Sequence, residues 1–223
     1  MENYLSNRKQ YVTFENTESD VLPITTGVPQ GSILGPLLFI IYLNDLVHVC
    51  ETFKPVIYAD DTALFTVLET FGNEKTELER NINMELEKIS IWFKANRLSV
   101  NGSKTKAMMF HTPQKRVQDI SIKLDMVEIE FVKEFNYLGI IFDQNISLKP
   151  HLRMISNKIS RAIGVMSKLK NQIPLHILKT LYDSLILPYF NYGILVWATC
   201  ASQLLKLQKK AVRIVTVANY SIV

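Results

Sequence analysis

Two adjacent carboxylates, Asp60 and Asp61, stand between the short apolar runs Val56-Ile57-Tyr58-Ala59 and Thr62-Ala63-Leu64-Phe65. A strand must carry them to a tight turn, and a second strand must leave it. Acids in that position do one of two things. At a surface hairpin they solvate the bend and hydrogen-bond their own backbone. Alternatively they give hard oxygen ligands to a divalent ion such as Mg²⁺, which takes a few carboxylate oxygens and fills its shell with water and substrate phosphates. The four histidines, His48, His111, His151 and His176, and the cysteines Cys50 and Cys200 lack metal-ligand spacing and read as structural, with reduced, buried thiols. The choice between the two readings of the acids falls to the elements around them.

With 223 residues and 48% hydrophobic content, the chain can bury one sizeable core or two small ones. Its longest apolar run, Leu37 to Leu43, is far shorter than the roughly 18 to 20 residues of a bilayer span, and Met1-Glu2-Asn3 opens no signal peptide. The expectation is an intracellular protein, cytoplasmic or nuclear, with no membrane partner. Tyr11 to Phe14 and Val21 to Thr26 read as a small strand pair. The loop Gly27-Val28-Pro29-Gln30-Gly31-Ser32 precedes an apolar segment, Pro36 to Val49, that as a helix is buried all round. Lys54-Pro55 resets the chain into the acidic hairpin, whose return strand runs to about Val67.

Leu78, Ile82, Leu86, Ile89 and Phe93 then recur at one-stripe helical spacing, which predicts a helix from about Asn73 to Asn96. Its first turns carry Glu74, Glu77 and Glu79, the favourable sign for an N-terminus. A strand over Lys104 to Phe110, a hairpin from Ile120 to Phe131 around Asp125-Met126, and a single strand over Phe135 to Phe142 follow. Helices are expected over 148 to 170, 175 to 187 and 202 to 217, and the change of character places a boundary near Asn145.

Charge divides along the same line. Residues 149 to 223 carry eleven Lys or Arg against one acid, Asp183, whereas residues 1 to 148 carry fourteen basic and twenty acidic residues. Such polarity points to a polyanion partner for the second half, the alternative being a solvated helix face.

The string Gly27-Val28-Pro29-Gln30-Gly31-Ser32-Ile33-Leu34-Gly35-Pro36-Leu37-Leu38-Phe39, followed by Tyr58-Ala59-Asp60-Asp61, closely resembles motifs B and C of the reverse transcriptases of non-LTR, jockey-like retrotransposons. Leu98 to Phe110 (LSVNGSKTKAMMF) looks like motif D, and Tyr137-Leu138-Gly139-Ile140 looks like the primer-grip motif E. Tyr192-Gly193 to Trp197 and Leu207 to Ala211 resemble the region after the polymerase domain, so the likeness covers nearly the whole chain.

The resemblance implies an α+β fold. An incomplete polymerase palm over 1 to 145, an antiparallel sheet with two packed helices around a ferredoxin-like core lacking its first strand, precedes an all-α thumb-like region over 146 to 223. It implies RNA-templated DNA synthesis, in which paired Mg²⁺ ions stabilise the attacking and leaving oxygens. Asp60 is then a metal ligand and Asp61 its support. Tyr58 and Ala59 lie beneath the primer end, and Gln30 and Gly31 near the templating base and incoming dNTP. Lys104 faces the leaving phosphate, with a solvated lysine as the alternative. Leu138 and Gly139 abut the primer backbone. Arg153, Lys158, Arg161, Lys168 and Lys170 grip the phosphates of the RNA template and DNA primer.

The same resemblance calls for another aspartate, on a motif A strand ahead of motif B. The acids before Gly27 are Glu2, Glu15, Glu18 and Asp20, none in such a setting, and Tyr4 to Val12 (YLSNRKQYV) resembles the linker that follows that motif. The expectation is a fragment without motif A or fingers, with an open strand edge, weak Mg²⁺ binding and no activity alone. The alternative is a non-catalytic module that binds RNA or RNA-DNA duplex.

Overall fold

The computed structural model describes residues 2–25, 27–29, 31–67, 75–115 and 120–217. The fold is α+β and divides into two compact units, Met1–Val100 with Ile122–Met126, and Asn101–Ser121 with Val127–Val223. Strands pair in twos, and the described residues form no larger sheet.

The first unit opens with a short helix α1 (Glu2–Leu5) and a ribbon in which β1 (Lys9–Gln10) pairs with β4 (Leu22–Pro23) and β2 (Thr13–Phe14) with β3 (Thr17–Glu18). Sequence pattern pairs 11–14 with 21–26. The ribbon instead turns at Glu15 and Asn16, both at positive φ (44° and 68°), so Thr13 pairs with Glu18 and Phe14 with Thr17. No glycine marks that turn, but Asn tolerates the left-handed region.

Helices α2 (Leu34–Leu43) and α3 (Leu46–Val49) follow, with Pro36 in the first turn of α2, where its missing N–H costs nothing. The expectation of a helix buried all round is corrected here. Only Gly35, Leu43 and Leu46 are buried, while Leu37, Ile40 and Ile41 are each at least half exposed. A helix apolar on every side has no preferred face, and among the described residues no element covers the outer side of α2. Tyr42 anchors it by donating its hydroxyl proton to the Asn96 carbonyl.

The acidic hairpin forms as expected from β5 (Lys54–Tyr58) and β6 (Asp61–Phe65), in the register Tyr58↔Asp61, Val56↔Ala63 and Lys54↔Phe65, though its return strand ends two residues early. Helix α4 (Lys75–Ala95) buries Ile82, Leu86 and Ile89 along the stripe its spacing predicts, while its expected start at Asn73 and Glu74 lies outside the described residues. Against it pack α3 and the strand Lys123–Leu124, which brings Ile122 and Leu124 into the same core. The turn that follows has both Asp125 and Met126 at positive φ, and Lys94 Nζ (2.5 Å) and Ser90 Oγ hold the Asp125 carboxylate.

Among the described residues α4 buries two polar side chains, Ser90 and Glu85. Glu85 is only 5% exposed, and its Oε1 accepts the consecutive backbone N–H groups of Glu51, Thr52 and Phe53 at 2.8, 2.8 and 2.9 Å, while Thr52 Oγ1 donates to Oε2. Burial raises its pKa, but these donors outweigh burial and bring it below the ordinary carboxylate value. Three converging amides stabilise a carboxylate as they would any bound anion. The loop so fixed leads directly into β5.

In the second unit, β7 (Lys106–Ala107) pairs in parallel with β8 (Glu130–Phe131), which trims the strand expected over Lys104 to Phe110 to two residues. The single strand expected over Phe135 to Phe142 is instead a hairpin, β9 (Glu134–Tyr137) and β10 (Ile140–Asp143). Its tip is Leu138-Gly139, both at positive φ (47° and 78°), the sign pattern of a type I′ turn.

Helix α5 (Lys149–Leu169) then starts from a turn held by Asp143. Its Oδ1 accepts the Leu148 N–H at 2.7 Å, and further donors from Ser147 and Asn145 pull its pKa down against the upward push of burial. Helices α6 (Leu175–Leu185), α7 (Leu187–Asn191), α8 (Ile194–Trp197) and α9 (Ser202–Val217) follow. Pro188 restarts the helix rather than ending it. The core joins Ile155, Ile159, Ile163 and Met166 of α5 to Leu178, Ile186, Phe190, Trp197, Leu204 and Ala211.

Glu85→Ala should lower the unfolding free energy in urea by about 3 kcal/mol, because three amides lose a charged acceptor, and Glu85→Gln by about half as much. The folded-state pKa of Glu85 lies below its unfolded value, so its contribution is complete above about pH 4.3 and is lost as pH falls through the folded pKa. Both variants should lack that part of the acid limb.

Candidate functional site

Ala59 and Asp60 form the two-residue tip of the acidic hairpin, and only Ala59 has positive φ (51°), the sign pattern of a type II′ turn. Directly opposed residues share a face, so Tyr58 and Asp61 lie beside Val56 and Ala63, and the half-buried Ile57, Thr62 and Leu64 lie on the other side. Tyr58, Ala59, Asp60 and Asp61 are all exposed. Among the described residues neither carboxylate is held by a hydrogen bond or ion pair, and no third acid, histidine or cysteine joins them in a cluster. Such a pair fits a Mg²⁺ ion shared with substrate phosphates, which needs one or two carboxylates, and does not fit a cage built from protein alone.

The glycine loop in the same unit is stapled at both ends. Arg8 Nη2 donates to the Gly27 carbonyl at 2.5 Å, and Tyr4 hydrogen-bonds Ser32 Oγ, which also accepts the Gly35 N–H at 3.1 Å. Gly31 has φ of 79° and open space where a Cβ would stand, so another molecule can approach its backbone closely. Gln30 lies outside the described residues. Sequence reasoning missed Tyr4 and Arg8, since nothing in their spacing marks them.

In the second unit, Lys104 is exposed in a turn whose backbone is held by Asn101. The Leu138-Gly139 tip is clamped from the helical side, where Tyr192 Oη donates to the Leu138 carbonyl at 2.5 Å and a Cβ on Gly139 would stand 3.2 Å from the Tyr192 ring. Arg153, Lys158 and Arg161 line one groove of about 380 Å³ with Asn157, Met154, Pro150, Glu134 and Ile141. At 3.6 residues per turn, Arg153, Asn157, Arg161 and Lys168 fall within about 80° of arc, opposite the buried face of α5. Lys170 caps the helix on another side and is half-buried, so the five expected cations do not make one row.

His151 is 2% exposed and its Nδ1 accepts the Ile141 N–H at 3.3 Å, which places the proton of the neutral ring on Nε2. Burial, with the nearby Lys158 charge, pushes its pKa down. It ties the β9–β10 hairpin to α5. Cys200 departs from the expectation of buried thiols, being exposed, and Cys50 is half-buried.

The exposed acids and the approachable glycine-loop backbone of the first unit suit a metal and a phosphate group, and the exposed cations of α5 in the second unit suit a polyanion. The family model for reverse transcriptase (RNA-dependent DNA polymerase) matches residues 1–142, and the chain belongs to that family. Its relatives are the polymerases of jockey-like, non-LTR elements. It is 28% identical over 99% of its length to a Drosophila melanogaster protein described as "Probable RNA-directed DNA polymerase from transposon BS", and 25% identical over 96% to the "RNA-directed DNA polymerase from mobile element jockey" of the same fly. A "Putative 115 kDa protein in type-1 retrotransposable element R1DM" is 23% identical over 91% of the chain. The chain spans about a quarter of the transposon BS and jockey proteins (25% and 24%) and a fifth (20%) of the R1DM protein. No solved structure matches it. Among the described residues no helix is long and apolar enough to cross a membrane.

Gly139→Ala should destabilise the second unit by about 1–2 kcal/mol in chemical unfolding, the cost of a Cβ in the left-handed region. For His151 the folded pKa lies below the unfolded value near 6.5, so the unfolded chain takes up protons first as pH falls. Stability should be full above about pH 6.5 and decline below it until the folded pKa is passed. His151→Gln keeps an acceptor for Ile141 and should flatten that slope in melts between pH 7 and 5.

Proposed function

We propose that this chain is the metal-binding hairpin and duplex-gripping part of a retrotransposon reverse transcriptase, and that alone it does not add nucleotides. The observation that carries this is the pair Asp60 and Asp61, exposed and free on a hairpin tip with no third carboxylate beside them among the described residues. Asp60 binds the metal directly and Asp61 supports it. Bound there, Mg²⁺ supplies charge stabilisation to the attacking 3′ oxygen and the leaving pyrophosphate. Tyr58 and Ala59 lie under the primer end. Gln30 and Gly31 bound the templating base and incoming dNTP, and Tyr4 and Arg8 hold that loop in place. Lys104 faces the leaving phosphate, and the Leu138-Gly139 tip abuts the primer backbone.

In this reading residues 1–145 correspond to a polymerase palm and 146–223 to a thumb, whose Arg153, Lys158, Arg161, Lys168 and Lys170 neutralise phosphates of the RNA–DNA duplex. Such contacts orient the duplex and carry little sequence information. The setting is the cytoplasm or nucleus, where template and target are found. A second reading, a duplex-binding module without chemistry, is favoured by the basic face of α5, which needs no metal.

Primer extension by the chain alone on poly-A with oligo-dT and Mg²⁺ should give no incorporation. Incorporation abolished by Asp60→Asn would overturn the claim of inactivity. RNA–DNA duplex binding should fall steeply with salt, and Arg153→Ala with Lys158→Ala should weaken it about tenfold or more. Absence of binding at low salt would remove both readings of the helical region.

A further inference from the structure

A second cleft, of about 420 Å³, adjoins the cation-lined groove and shares Met154 and Lys158 with it. Its chemistry differs. Met154, Ile155, Leu185 and Pro188 give it an apolar floor, and Tyr189 and Tyr192 bring aromatic rings to it. The hairpin tip enters at Gly139, where the missing side chain leaves the Tyr192 ring uncovered. Lys158 stands at the junction of the two cavities, its ammonium 5.3 Å from the centre of the Tyr189 ring. His151 also borders the cleft, and its buried Nε2–H has no acceptor among the described residues. A buried donor that borders a cavity is open to water or to a group that enters it.

We propose that this cleft takes one unpaired base of a nucleic-acid strand whose phosphates run along the neighbouring groove. The inference rests on the nucleic-acid reading above and goes beyond it, since gripping a duplex through phosphates requires no base pocket. An apolar slot with aromatic walls suits the face of a base, because every base has a π-face to stack. Lys158 meets the first phosphate after that base, and Arg153 and Arg161 continue the positive track. A peptide or lipid tail suits the floor but leaves the row of cations without a role.

The probe is an oligothymidylate carrying a single 2-aminopurine, titrated into the full chain at low salt. Binding should quench the 2-aminopurine emission as the base stacks. Ser184→Phe fills the cleft from its exposed rim, and Tyr189→Leu removes a ring from its wall. Each should restore the emission of bound strand and weaken binding about tenfold, the scale of one lost stacking contact. Urea unfolding midpoints close to the parent's for both variants separate a lost stacking site from a failure to fold. Arg153→Ala should weaken binding while leaving the strand that remains bound quenched. Quenching that persists in saturated Ser184→Phe and Tyr189→Leu would overturn the base site and spare the groove. No binding of the oligonucleotide to the parent chain would overturn the groove reading and the base site together.

Discussion

The acidic hairpin depends on a carboxylate that takes no part in its chemistry. Glu85 gathers three successive amides immediately before β5, and those amides would otherwise be left without partners at the end of α3. A charge placed in the apolar stripe of α4 is tolerable only because it is fully used. It joins the longest helix of the first unit to the root of the hairpin. The tip itself has nothing comparable, for Ala59 sits in a left-handed conformation costly to any residue with a Cβ, and the acids beside it touch no partner among the described residues. Side-chain hydrogen bonds thus fix the root of the hairpin, and among the described residues none fixes the acids at its tip.

The second unit solves a similar problem differently. Its β9–β10 hairpin belongs to the helical bundle through three hydrogen bonds, from Tyr192 to Leu138, from Ile141 to His151 and from Leu148 to Asp143. These bonds tie both the tip and the base of the hairpin to the helices beside it. Polar anchors of this kind specify an arrangement that apolar packing alone would leave loose.

Sequence pattern was most informative where periodicity and punctuation agree. The stripe from Leu78 to Phe93, the turn before Asp61 and the helices after Leu148 all lie where spacing puts them. It was least informative where one residue's partner is remote. Nothing near Glu85 announces three amides more than thirty residues away, and nothing near Tyr4 announces Ser32. Leu138-Gly139 lies inside a β-rich run that the pattern extends as one strand, although Gly there marks a turn, and the polar stretch after Phe14 holds a tight turn at Glu15-Asn16 where the pattern has only a linker. The apolar helix Leu34–Leu43 misled for another reason, since composition reports what a surface prefers and not whether a neighbour is present to cover it.

The hairpin from Lys54 to Phe65 also has a property of counting rather than of chemistry. Side chains alternate strictly along each strand, and the two-residue tip fixes which partners face each other. Many side chains on its open face could be exchanged without moving the backbone. Gaining or losing a single residue within either strand is another matter, because every position beyond the change would swap sides, and the strand could keep its pairing at the tip or its facing at the root but not both. Descent with substitution can therefore blur this segment extensively, whereas its length is held by parity.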